Sequence, residues 1–143
     1  MQTLKLPEFE ANINGNTIFC LIRRKWIILT PEEWVRQHFL NLLITHLGYP
    51  KGMMRLEQTL SYFKNQKRSD ILVLDSQGSV FLLVECKSTD VKLDQKVLNQ
   101  VAAYNKVLDS QFIAITNGLN HFIWKKEGDG FRQLSKFPSY DSV

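Results

Sequence analysis

Only two cysteines occur, Cys20 and Cys86, both inside apolar stretches and without patterned spacing. That excludes a disulfide-framed scaffold, and two buried thiols in a reduced, cytoplasmic protein are expected instead. The three histidines, His38, His46 and His121, are scattered with no zinc-ligand spacing. Long apolar runs are missing too. Each is short and broken by charge, which rules out a membrane-spanning helix. Residues Met1–Ala11 include Glu8 and Glu10 and lack the apolar run of a secretory leader. There is no internal repeat, low-complexity tract or interdomain linker. No Gly-x-x-x-x-Gly-Lys-Ser/Thr phosphate loop is present. Nor does any helix cluster Arg, Asn and Gln in the manner of a base-reading element.

What is present reads as ordinary folded protein. With 143 residues, 44% apolar and 22% charged, the chain is expected to form one domain over 1–143 with a real core. The net charge of +4 is compatible with a polyanionic partner and too mild to demonstrate one.

The stretch Arg68–Lys87 organises the rest. Two apolar runs, Asp70–Asp75 and Val80–Lys87, flank the turn Ser76-Gln77-Gly78-Ser79, which signals an antiparallel hairpin. A loop of those four residues sets Asp70 opposite Glu85. Lys87 then projects from the face of Glu85, and Cys86 from the other. Leu72, Leu74, Phe81 and Leu83 are expected on the Asp70 face, with Ile71, Val73, Val80, Leu82 and Val84 behind. Strands apolar on both faces belong inside a sheet covered on two sides. Opposed like charges, with Cβ atoms about 5 Å apart, are unfavourable. Two carboxylates placed there call for something cationic between them. The bland alternative is a solvated strand end where Lys87 pairs with a carboxylate.

Around this hairpin the pattern predicts an irregular lead-in over residues 1–16. Strands at Thr17–Ile22 and Lys25–Leu29 then form an edge hairpin about Arg23-Arg24. A helix follows from Thr30 to about Leu47, with Thr30 as N-cap, Pro31 in the first turn and Glu33 at the capping-box position. Its inner stripe is Val35, Phe39, Leu42, Leu43 and Leu47. Met53–Tyr62 reads as a strand and Asp94–Leu108 as a second helix burying Val97, Val101 and Leu108. Strands Phe112–Thr116 and Leu119–Lys125 flank Asn117-Gly118. Gly128-Asp129-Gly130 reads as a turn, and the last residues are expected to fray. The expected fold class is α/β, a mixed sheet with helices packed on it.

Asp70 followed by Glu85-Cys86-Lys87 at adjacent strand ends resembles the PD-(D/E)XK nuclease superfamily, whose core is αβββαβ. Trp26, the helix start Thr30-Pro-Glu-Glu-Trp-Val-Arg-Gln37, Val84-Glu-Cys-Lys87, Gln100-x-x-x-Tyr104 and Thr116-Asn-Gly118 resemble the N-terminal nuclease domain of type I restriction enzyme R subunits. The resemblance spans roughly residues 17–125. It departs at Ser69, where the family has proline, and in the missing phosphate loop, so the ATP-driven motor of a full R subunit is not expected here.

The resemblance implies a Mg²⁺-dependent endonuclease acting on DNA, with Mn²⁺ as a substitute. Asp70 and Glu85 would bind the metal, joined by the Cys86 backbone carbonyl, and Lys87 would assist the chemistry. Glu33 is contested between a third metal ligand, which the resemblance implies, and a helix cap, which accounts for it unaided; Glu57 is an alternative third carboxylate. Gln100 and Tyr104 lie on one helix face, where the resemblance gives Gln100 a place near the metal or DNA and Tyr104 a supporting one. Otherwise they are a surface amide and a core-edge tyrosine. Lys64, Lys67 and Arg68 are candidates for phosphate contacts, or simply a solvated loop; Lys125-Lys126 have less claim. A separate DNA-reading or motor subunit and a homo-oligomer both remain open as partners. The rivals are a non-cleaving nucleic-acid-binding or assembly module of the same fold, and an unrelated small α/β protein.

Overall fold

The computed structural model describes residues 2–57 and 69–140. Lys64, Lys67 and Arg68 lie outside these residues, as do the expected strand beyond Glu57 and the side chains of Glu57, Ser69, Tyr104 and Val107. Short strands β1 (Ile13–Asn14), β2 (Thr17–Phe19) and β3 (Trp26–Ile28) form a three-stranded antiparallel sheet. Helix α1 (Pro31–Asn41) follows. The second sheet comprises β4 (Met54–Glu57), β5 (Ser69–Leu74), β6 (Val80–Cys86), β7 (Phe112–Thr116), β8 (His121–Glu127) and β9 (Gly130–Leu134). Its strands lie in sequence order, and only β6 and β7 run parallel. Helix α2 (Gln95–Leu108) makes the crossover that a parallel pair requires.

Local chemistry sets both helix starts. Thr30 Oγ1 accepts from Glu33 N at 3.0 Å with Pro31 in the first turn, and Asp94 Oδ1 accepts from Val97 N at 3.1 Å. Each helix buries its apolar stripe on a different face of the sheet. Val35, Phe39, Leu40 and Leu43 pack with Ile71, Val73, Leu82, Val84 and Cys86. Val97 and Val101 pack with Leu72, Leu83, Ile113 and Ile115. The double-sided apolar character of β5 and β6 follows from this arrangement.

The structure corrects several expectations. The register slips between Val73 and Leu74, so Phe81 is an extra residue in β6. Beyond this bulge the alternation reverses: Phe81 joins the α1-side core and Val80 the α2 side, opposite to the uninterrupted pattern. The strands about Arg23-Arg24 are shorter than predicted and belong to a sheet of their own rather than the main sheet's edge. The lead-in contains β1, which pairs with β2 through the turn at Gly15. After Asn41 the helix widens into one π turn, Leu42–His46, closed by Leu47 N donating to Leu42 O at 3.0 Å. That turn shifts the phase of the stripe, and Leu47 is exposed. The strand expected over Leu119–Lys125 starts at His121 because Asn117 closes a longer turn, its Oδ1 accepting from Leu119 N and Asn120 N. Strand β9 continues past Gly128, and the segment after it is anchored as far as Tyr140: Tyr140 OH donates to Leu74 O (2.8 Å) and Tyr49 OH to Pro138 O (2.6 Å), while the last residues, 141–143, lie outside the described residues.

His121 joins the amino-terminal segment to the β7–β8 turn. Its Nδ1 lies 2.6 Å from Thr116 Oγ1 and its Nε2 2.8 Å from Lys5 O, while Thr116 Oγ1 also accepts from Gly118 N. The lysine carbonyl only accepts, so Nε2 carries the proton and Nδ1 receives the threonine hydroxyl. Burial lowers the His121 pKa below its ordinary 6.5, opposed by the bond to Lys5 O. Between the folded value and 6.5 the unfolded chain binds the extra proton, so this contribution is full above pH 6.5 and lost as pH falls. Urea melts from pH 7.5 to 5 are expected to show decreasing stability. The decrease should be smaller in His121→Asn, though not abolished, because burial also lowers His38.

Candidate active site

The expected pairing stands at the end of the hairpin, remote from the bulge: Asp70 faces Glu85, Ile71 faces Val84 and Leu72 faces Leu83. Asp70 is 0% exposed, Glu85 1% and Lys87 5%. A solvated strand end is therefore excluded. Lys87 Nζ lies 3.3 Å from Glu85 Oε1, which the two-residue spacing on one face allows. Lys87 is held beyond the strand because its N–H donates to Thr116 O at 2.8 Å, extending the β6–β7 pairing. Asn117 secures the chain that follows, its Nδ2 donating to Val91 O at 2.9 Å. The Thr116-Asn-Gly118 turn is thus a brace for the Lys87 segment.

Behind the strands, α1 contributes a buried polar network. Arg36, 0% exposed, forms a two-point pair with Glu33: Nε donates to Oε2 at 2.9 Å and Nη2 to Oε1. Gln37 Nε2 also donates to Glu33 Oε2 at 2.8 Å, and Gln37 Oε1 accepts from Leu21 N at 3.1 Å. The remaining end of the guanidinium reaches the strand, Nη1 donating to Asp70 O at 3.5 Å. Glu33 therefore lies in a cap whose Thr30 half is formed, while its carboxylate is engaged by Arg36 and Gln37. Among the described residues, no three His, Cys, Asp or Glu side chains gather as a metal-binding group.

Cys86 points away from Glu85 into the α1-side core, as alternation requires. Burial pushes its thiol well above the ordinary value, with nearby Arg36 acting in the opposite sense and Asp70, Glu33 and Glu85 adding to the rise. The thiol is a core group, and only the Cys86 carbonyl remains a candidate ligand. Gln100 is half-buried on α2, which packs on the face bearing Asp70 and Glu85. Arg36 was missed from the sequence. The readable signal was Glu33-x-x-Arg36, a pair one helical turn apart on a segment with an otherwise apolar stripe.

Asp70 and Glu85 are the residues that would hold a hard divalent cation. Two carboxylate-bearing strands meet in fixed register, and Mg²⁺ takes one or two protein carboxylates while keeping water and phosphate oxygens as its other ligands. The order α1, three antiparallel strands, α2 and parallel β7 is that of a restriction-endonuclease-like fold. A family model for the type I restriction enzyme R protein N terminus matches residues 31–138, well over half of the chain, and the chain belongs to that family. No match was found among curated proteins, and none among solved structures.

The Glu33 geometry separates capping from ion pairing. Thr30→Ala is expected to cost about 1 kcal/mol as a lost cap. Glu33→Ala should cost about 3 kcal/mol, because it breaks a buried pair while Arg36 keeps the Asp70 carbonyl. Equal losses in urea melts of the two variants would refute the buried-pair account.

Proposed function

We propose that this chain is a metal-dependent endonuclease domain that hydrolyses DNA phosphodiester bonds. The observation carrying the reading is the buried Asp70–Glu85 opposition with Lys87 beside it, in a chain of the R protein N-terminal family. Asp70 and Glu85 would hold Mg²⁺ or Mn²⁺, with the Cys86 carbonyl as a further ligand. The bound ion supplies Lewis acidity, polarising the scissile phosphate and making the attacking water more acidic.

The chain's own residues do the rest. Register fixes the two carboxylates before substrate arrives, so little reorganisation is needed. The Lys87 ammonium, held by Glu85 and by its own backbone bond to Thr116, offers three donors. It stabilises charge growing on the phosphoryl oxygens and orients the attacking water. Gln100, on α2, would serve near the metal or the DNA backbone, with Tyr104 in the supporting role the resemblance implies. Lys64, Lys67 and Arg68 precede Asp70 and would meet phosphates. Glu33 acts through Arg36, holding α1 to the backbone of Asp70. DNA is the proposed substrate partner, and a separate DNA-reading or motor subunit is a proposed second partner.

The test is cleavage of supercoiled plasmid and single-stranded DNA with Mg²⁺ or Mn²⁺. Wild type is expected to nick, Asp70→Ala to fall to background and Lys87→Ala to lose about 10²- to 10³-fold. Equal activity in all three would refute these residue roles. Metal binding that requires Asp70 without any cleavage would favour the silent binding module.

A further inference from the structure

The turn between β2 and β3 carries Arg23, Arg24 and Lys25 in succession, and no Asp or Glu occurs between Glu10 and Glu32. All three cations are exposed, as is Trp26 at 44%. Arg24 and Lys25 make no ion pair among the described residues.

The tip is nevertheless firmly built. Cys20, fully buried, donates its N–H to Lys25 O and accepts from Arg24 N, both at 2.9 Å; its Sγ lies 3.4 Å from Arg23 N. Arg24 stands at φ 55, a left-handed conformation in which glycine would be unstrained. A bulky cation is kept where the backbone favours glycine, and such an outlier argues for a use.

The position of the tip indicates that use. Arg23 Nη2 donates to Leu56 O at 3.3 Å, and Leu56 precedes Glu57, the residue paired with Asp70. Leu21 N donates to Gln37, which bonds to Glu33 in the network reaching Asp70 O. The basic tip therefore lies at the same end of the main sheet as the buried carboxylates. Those carboxylates repel an approaching phosphodiester, and cations beside them offset the repulsion.

We infer that this turn is a DNA-backbone contact element, with Arg24 and Lys25 on phosphates and Trp26 against the adjoining sugar or an exposed base. Charge complementarity selects the polyanion, and an aromatic face next to cations suits nucleic acid. The inference names a substrate contact for the proposed nuclease and rests on that reading. The matched family segment starts only at residue 31, beyond the turn.

The test uses a fluorescein-labelled duplex and anisotropy titrations in EDTA over a range of salt, so binding is read without cleavage. The double variant Arg24→Gly/Lys25→Gln is expected to bind about 10-fold more weakly, with a log–log salt slope shallower by about 2. Its melting temperature should hold or rise, because glycine relieves the left-handed position. The charge-keeping pair Arg24→Lys/Lys25→Arg should restore affinity, and Trp26→Ala should weaken binding without changing the slope. An unchanged slope in the double variant overturns the inference. So does wild type that prefers phosphatidylserine vesicles, or an acidic peptide, to the duplex.

Asp70→Asn keeps the two readings apart. It should bind duplex at least as tightly as wild type while failing to cleave. If wild type binds through the turn but never cleaves, the contact stands and the nuclease reading falls. Cleavage that needs Asp70 but is indifferent to the turn overturns the contact alone.

Discussion

The pairing of β5 with β6 is the constraint on which the candidate site depends. A single register places Asp70 against Glu85 and brings Lys87 onto the same face. A slip of one residue would send Asp70 into the α1-side core and break the apolar match of both faces. At about 5 Å and an effective dielectric near 20, two such charges would repel by about 3 kcal/mol. Lys87, 3.3 Å from Glu85 Oε1, offsets part of that repulsion. The arrangement is also held by what lies on each side: Ile71, Val73, Leu82 and Val84 locked under α1, and Leu72 and Leu83 under α2. The hairpin turn adds its own lock, Asp75 Oδ1 accepting from Gln77 N and Ser79 N, each at 2.9 Å. The bulge at Phe81 lies near this turn, so the irregularity is spent away from the charged end.

The sheet also separates two electrostatic environments. On the α1 side, Glu33, Arg36 and Gln37 form a hydrogen-bonded set that reaches the backbone carbonyl of Asp70. On the α2 side stand the carboxylates themselves and Lys87. Arg36 acts across the divide because a backbone carbonyl, unlike a side chain, is reachable in the plane of the strand. This makes α1 part of what positions the strand that bears Asp70. It also explains why the first turn of α1 contains a buried acid. A glutamate that served only as a cap would remain at the surface, where capping is normally done.

Much of this was legible in the chain, and the exceptions have physical causes. Strand β7 and helix α2 were read almost to the residue, because Asn117-Gly118 is a strong turn signal and Val97, Val101 and Leu108 recur on one helical face. The Asp70–Glu85 register was legible although the loop runs over Asp75–Ser79 rather than four residues, because the extra residue Phe81 in β6 makes up the difference. The reversal at Phe81 was not, since a bulge between two apolar residues leaves the pattern of residue types unchanged. The π turn after Asn41 was hidden for a similar reason: Leu42, Leu43 and Leu47 satisfy a helical stripe whether or not one turn is wider. Strand β9 has no apolar alternation to reveal it, because it is the outermost strand in the order and Phe131, Arg132 and Gln133 are exposed. The Glu33 ambiguity, metal ligand against helix cap, arose because Thr30-x-x-Glu33 reads the same in either case; the pairing with Arg36 is what the pattern did not reveal.

A hairpin fixed this firmly has little freedom to adapt to different nucleic acids. Its two faces are committed to α1 and α2, and its charged end to one geometry. Adaptation must come from elements that touch the sheet end without belonging to its core. The small sheet is such an element. It meets the rest of the fold through Arg23 to Leu56 O on β4, Leu21 N to Gln37 on α1, and the packing of Leu21 and Ile22 against the α1-side core, while its own hairpins set its internal geometry. Changes in length or charge at its turn therefore need not disturb the register of β5 and β6. This arrangement divides the demands on the fold. Rigid, doubly covered strands carry groups that need fixed distances, and a separate small sheet carries the cations proposed to meet a polyanion, an interaction that falls off slowly with distance.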